Sequence, residues 1–86
     1  MKDIFLPTDI HHKLSKKIQM LRFTRGWSQE KLAEHSDLHR NYIGMIERMD
    51  VNVGLTNLEK IAKAFAMPIH ELLNMQAPSG PEGPSN

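Results

Sequence analysis

Residues 28–47, SQEKLAEHSDLHRNYIGMIE, decide the fold. Two short stretches with helical spacing flank a four-residue break, Ser36-Asp37-Leu38-His39. Leu32 and Ala33 are the inward residues of the first stretch; Ile43 and Ile46, three apart, form one face of the second. The break carries one apolar plug, Leu38, among polar residues that suit a tight turn. Neither stretch is long enough to hold a helix by itself, because helix nucleation is costly and short helices depend on packing. Joined this tightly, the two helices must pack against each other. The second then projects Arg40, Asn41 and Met45 outward.

Outward from this unit, helix 1 is predicted from Thr8 or Asp9, either of which can cap, to Arg25, with Gly26 as its C-terminal stop. Ile10, Leu14, Ile18 and Leu21 follow helical spacing and form its expected buried stripe. Trp27 leads to Ser28, the expected N-cap of helix 2 over Gln29 to His35. Helix 3 starts at His39 or Arg40 and ends near Arg48. After a loop, Met49 to Val53, Gly54 caps helix 4, Leu55 to Phe65, with Leu58, Ile61, Ala62 and Phe65 inward. Pro68 fits the first turn of a short helix 5 ending near Asn74, with Ile69, Leu72 and Leu73 as its apolar face. The pattern predicts an all-α fold of five helices: an N-terminal arm over 1–7, one domain over 8–75, and a Pro-, Gly- and Ser-rich tail over 76–86 read as disordered.

Composition narrows the function. The 86 residues include no cysteine, so disulfides and thiolate–zinc staples are excluded, and a small core must rest on helix packing or dimerisation. No apolar run approaches the ~20 residues needed to span a bilayer, and the start MKDIFLPTDI lacks a secretory pattern, so a cytoplasmic location and no membrane partner are expected. The net charge of +1 hides an asymmetry. Residues 11–48 hold eight Lys and Arg against four acids, whereas 49–86 hold two lysines against four acids. One half suits a polyanion; the other stays neutral to acidic. The sequence pI of 8.1 is lower than that of a strongly basic nucleic-acid binder, so charge supports this only weakly.

The elements Leu21-Arg22 before Arg25-Gly26, Ser28-Gln29, Leu32-Ala33, Glu47 and Ile61-Ala62-Lys63-Ala64-Phe65 resemble the Cro/C1-type (XRE) helix-turn-helix regulators, over roughly residues 10–74. Within that family, His39-Arg40-Asn41-Tyr42-Ile43-Gly44 and Asn52-Val53-Gly54-Leu55-Thr56-Asn57-Leu58 look most like restriction–modification controller proteins. The resemblance implies a lambda repressor-like fold. It also implies a transcriptional regulator that binds double-stranded DNA as a homodimer on a palindromic operator and controls restriction–modification genes and its own gene. Asp37, Met49 and Ala66 stand where the family commonly has glycine, so either helices 3 and 4 run longer here or the chain stores strain.

On this reading, Arg40 reads a base, since a guanidinium can pair with guanine O6 and N7 for about 1–3 kcal/mol of discrimination. Asn41 suits adenine or a phosphate, and Met45, one turn on, suits a thymine methyl; the plainer alternative is a solvated helix face. Ser28 and Gln29 sit at a helix N-terminus that favours phosphate. His39, Tyr42, Arg48 and Asn52 complete the expected phosphate contacts. Their plainer roles are a helix cap, a packed ring, a cation on the end of helix 3 and a turn former. The resemblance implies an ion pair between Arg22 and Glu47 that links helix 1 to the end of helix 3 and sets the angle of the recognition helix. Phe65, Ile69, Leu73 and Met75 are the expected dimer interface, with core packing as the alternative. Glu30 and Glu34 can offer a contact to RNA polymerase, although exposed acids ordinarily just solvate.

Two alternatives share this fold: an antitoxin that binds a toxin and represses its operon, and a phage-type repressor. Catalysis is not expected, because no Ser–His–acid order, phosphate-cradling loop or carboxylate pair can be identified. No metal or other cofactor is expected either. His11 and His12 are adjacent and point ~100° apart on a helix, and His35 and His39 are separated by the turn.

Overall fold

A computed structural model describes residues 5–74. It contains α1 (Asp9–Arg25), α2 (Gln29–Ser36), α3 (Arg40–Glu47), α4 (Leu55–Ala64) and α5 (Ile69–Leu72), and no strand among the described residues. Helix α2 packs on α3 and α4, α1 on α3, and α5 on α4. Met75 and the tail over 76–86 lie outside the described residues, as do residues 1–4 of the N-terminal arm.

The core draws on every helix, from Ile18 on α1, through Leu32 on α2, Ile43 and Ile46 on α3 and Ile61 on α4, to Leu72 on α5. Ile43 is fully buried and Ile46 is 3% exposed. At about 1.5–3 kcal/mol for each large apolar side chain, these two residues anchor an eight-residue helix that would melt in isolation. Leu38 packs against the core from the α2–α3 turn.

Two sequence expectations fail at the edges of this core. Ile10 is 45% exposed: with Leu14, Val53, Leu58 and Leu73 it lines a shallow cleft at the rim, one turn before α1 reaches the core. The small Ser15 is buried instead, where α1 meets α3. Helix α5 is also shorter than predicted. Pro68 is its extended N-cap, and Lys17 Nζ donates to the carbonyls of Glu71 and Asn74 at 3.2 and 2.9 Å, placing a cation at its C-terminal end.

Helices α1 to α4 share one stop. In each, a left-handed residue donates to the carbonyl three residues back and the next residue to the carbonyl five back, as in Trp27 N to Arg22 O at 2.9 Å and Asp50 N to Met45 O at 2.8 Å. Only α1 places glycine there, Gly26 with φ 69°; the others use Asp37, Met49 and Ala66, with φ of 59°, 62° and 60°. The helices therefore do not run longer. They stop where glycine would stop them, and the side chains at Met49 and Ala66 carry left-handed strain of about 1–2 kcal/mol each. Trp27, Leu38 and Met67, each following a left-handed residue, pack against the core and hold the turns in place.

Candidate nucleic-acid interface

Helix α3 is capped at its start by His39, whose Nδ1 accepts from Asn41 N at 3.0 Å. Arg40 and Asn41 are exposed, and among the described residues their side chains have no hydrogen-bonding partner. With Gln29, Gly44, Met45 and Arg48 they line an open cleft of about 430 Å³ between the start of α2 and the outer face of α3. Gly44 leaves room for the side chains that cross this face: a Cβ there would lie 3.2 Å from Arg48 Nη1 and 3.5 Å from Gln29 Oε1. Five of the predicted contact residues thus meet at one cleft.

The other end of α3 is fastened through Glu47. Arg22 donates to both carboxylate oxygens, Nε to Oε2 at 2.6 Å and Nη2 to Oε1 at 2.9 Å. The third nitrogen of Arg22, Nη1, donates to Trp27 O at 2.8 Å. Gln29 Nε2 donates to Glu47 Oε1 at 3.0 Å, so one amide N–H of an expected phosphate contact is already engaged. The Glu47 carbonyl accepts from Ser15 Oγ at 2.6 Å and, more loosely, from Gln19 Nε2 at 3.4 Å. The Arg22 and Glu47 side chains are only 15% and 6% exposed, so their charges depend on each other.

The remaining predicted residues are distributed differently. Ser28 Oγ caps α2 by accepting from Lys31 N at 3.0 Å. Tyr42 is half-buried, and its hydroxyl oxygen accepts from Asn57 Nδ2 at 3.0 Å. Arg48 Nε pairs with Asp50 Oδ2 at 3.0 Å on the surface. Asn52 is exposed, with Oδ1 3.0 Å from His11 Nε2. Ile69 and Leu73 are half-buried.

Phe65 corrects the dimer expectation. At 1% exposure it has no surface to offer a partner. Its ring stacks on Trp27 at 5.5 Å, Trp27 stacks on His35 at 4.3 Å, and the Arg25 guanidinium lies 5.0 Å from the Phe65 ring centre. Arg25 Nη2 also donates to Phe65 O at 3.0 Å, tying the end of α1 to the end of α4. The helical pattern marks Phe65 as apolar and inward on α4; only the closing of α1 and Trp27 over it removes it from the surface.

Sequence reasoning missed His11, Ser15, Gln19 and Asn57. The Thr8–His11 spacing matches the capping-box positions, the one local signal available; Ser15 and Gln19 meet Glu47, and Asn57 meets Tyr42, across 15 to 32 residues of sequence. Among the described residues, no group of three His, Asp or Glu side chains could hold a metal ion, and no helix is long and apolar enough to cross a membrane.

Residues 18–72 match the family described as helix-turn-helix. That is more than half of the chain, and the chain belongs to this family, in its Cro/C1 (XRE) branch. The chain is similar to control protein C.SmaI of Serratia marcescens, 40% identical over 75 residues that cover 87% of this chain and 89% of that protein. A hypothetical transcription factor of Neisseria meningitidis serogroup B is 37% identical over 65 residues, 76% of this chain but 61% of the relative, so the chain spans less than two thirds of that protein's length. Among solved structures, the restriction–modification controller protein C.Esp1396I bound to a 25 base-pair operator site superposes with a TM-score of 0.69 at 35% identity, covering 77% of this chain and 91% of that one.

Proposed function

We propose that this chain is a sequence-specific double-stranded DNA-binding transcriptional regulator. It acts as a homodimer on a palindromic operator and controls restriction–modification genes and its own gene. The observation that carries the reading is the pair Arg40 and Asn41, exposed and with side chains that have no hydrogen-bonding partner among the described residues, on a helix whose opposite end is fastened to α1 and α2. Side chains free to bond outward from a rigid helix are what base-edge readout in the major groove requires. The likeness to a controller protein solved on its operator supports the same reading.

Arg40 pairs with guanine, Asn41 with adenine or a phosphate, and Met45 meets a thymine methyl. Ser28 and Gln29 at the start of α2, with His39, Tyr42, Arg48 and Asn52, hold the phosphate backbone; these contacts orient the protein without reading sequence. One helix reads about four base pairs, too few for specificity in a genome, so two copies must bind together. Ile69 and Leu73, both half-buried and the latter lining the rim cleft, join the copies, with Met75 beyond the described residues. The twofold places recognition helices about 34 Å apart in successive major grooves.

Enrichment of duplexes from a random pool by the purified chain tests this reading. The selected site should be a palindrome, and Arg40→Ala should relax one position in each half-site. Selection of no duplex, or of a site without twofold symmetry, would refute it.

A further inference from the structure

Asn52 sits in the loop leaving α3, and the imidazole of His11 holds it from α1. The direction of that hydrogen bond follows from a donor that cannot reverse. The backbone N–H of Thr8 points at His11 Nδ1 at 3.0 Å, and a main-chain amide only donates. Nδ1 must therefore accept, and the Thr8 hydroxyl, 2.9 Å from the same nitrogen, can only share that lone pair as a second donor. A neutral imidazole whose Nδ1 accepts carries its proton on Nε2. Nε2 then donates to Asn52, so the atom it meets at 3.0 Å is the amide oxygen. Phe5 packs edge-on against the ring, with centroids 4.9 Å apart, and restricts its rotation.

The consequence falls on the free end of the Asn52 side chain. With one lone pair of Oδ1 engaged by His11, the amide is fixed in orientation and its wholly unpartnered group among the described residues is the NH2, which donates only. An asparagine left to itself can turn either edge of its amide outward; this one presents a donor. We infer that His11 is a positioning residue that sets the Asn52 amide as a hydrogen-bond donor for a phosphate oxygen of the DNA backbone. This rests on the DNA-binding reading above. The relay starts at Thr8, outside the helix-turn-helix, and places part of the backbone grip under the control of the start of α1.

Two measurements test it. In the free, full-length chain, at a pH where the ring is neutral, ¹⁵N NMR should find His11 as the Nε2–H tautomer; an Nδ1–H tautomer overturns the relay. In the second, affinity is measured for the duplex selected by the wild-type chain. Asn52→Ala should weaken binding about threefold to tenfold, the range for one hydrogen bond. His11→Phe should cost about the same, cost nothing further in the Asn52→Ala background, and be rescued by His11→Gln, whose amide N–H can still donate to Asn52. Equal loss from His11→Phe in both backgrounds means the ring supports structure only and overturns the inference. Wild-type affinity for Asn52→Ala overturns it too, but leaves the DNA-binding reading standing. A wild-type chain that enriches no duplex overturns both.

Discussion

The two ends of the eight-residue α3 are treated in opposite ways. At the N-terminal end, Arg40 and Asn41 are exposed, and among the described residues their side chains bond to nothing. At the C-terminal end, Glu47 collects Arg22, Gln29, Ser15 and Gln19 on its carboxylate and carbonyl. The difference shows how a helix too short to be rigid alone presents side chains in a fixed frame. The fastened end supplies orientation, and the free end keeps its hydrogen-bonding capacity for something outside. A loss at the first should move the whole helix; a loss at the second should remove one contact and leave the fold unchanged.

Breaking the fastened end should give the largest effect. Arg22→Met leaves a nearly buried Glu47 carboxylate with Gln29 as its remaining side-chain partner, and should destabilise by about 3–5 kcal/mol in urea unfolding. Because this is comparable with the whole stability of a small domain, Arg22→Met combined with Glu47→Leu gives a second arm. Removing both charges should recover most of the stability, yet Gln29 would lose its partner and operator affinity should stay low. Unchanged melting and unchanged affinity in Arg22→Met would show that the pair does not orient α3.

At the free end, Arg40→Ala should leave the unfolding midpoint within experimental error of wild type. Discrimination at one base position per half-site should fall by about 1–3 kcal/mol, read by competition between the selected duplex and single-position variants. A fall in stability instead would mean that Arg40 is held within the protein, and the contrast between the two ends would be lost.

Smaller changes sharpen the comparison. Ser15→Ala leaves the Glu47 carbonyl with Gln19 at 3.4 Å and should cost about 1 kcal/mol in thermal unfolding while leaving the selected sequence unchanged. Met49→Gly, where the chain leaves the fastened end with φ 62°, should raise stability by about 0.5–1 kcal/mol, and Ala66→Gly by a similar amount. Asp37→Gly should gain less, since Asp tolerates the left-handed region better. A loss of stability in Met49→Gly would contradict a strained left-handed stop.

Much of this architecture is legible in local pattern. Thr8, Gly26, Ser28, His39 and Gly54 mark helix ends, and Leu32, Ala33, Ile43 and Ile46 mark inward faces, because caps and periodicity depend on neighbours within a few residues. The resemblance pointed to Arg22 and Glu47 as partners; spacing alone would not, since they lie 25 residues apart. Ile10 looks identical to Leu14 and Ile18 as a helical repeat, and only the extent of the surface it faces leaves it exposed. Phe65 reads equally well as core or interface until Trp27 and Arg25 close over it. Met49 and Ala66 carry no glycine signal at all; their left-handed geometry is imposed by the packing around each turn.

The sequence by itself determined an all-α chain with two short helices around a tight turn and a polar outward face at the start of the second, because helix periodicity and capping are short-range. Tertiary structure alone decided which polar groups are spent and which remain free. Gln29 gives an N–H to Glu47, Asn52 gives its oxygen to His11, and Arg40 and Asn41 give their side chains to nothing among the described residues. A hydrogen bond engages particular atoms of two residues at about 3 Å, and no spacing along the chain reveals which distant atoms meet.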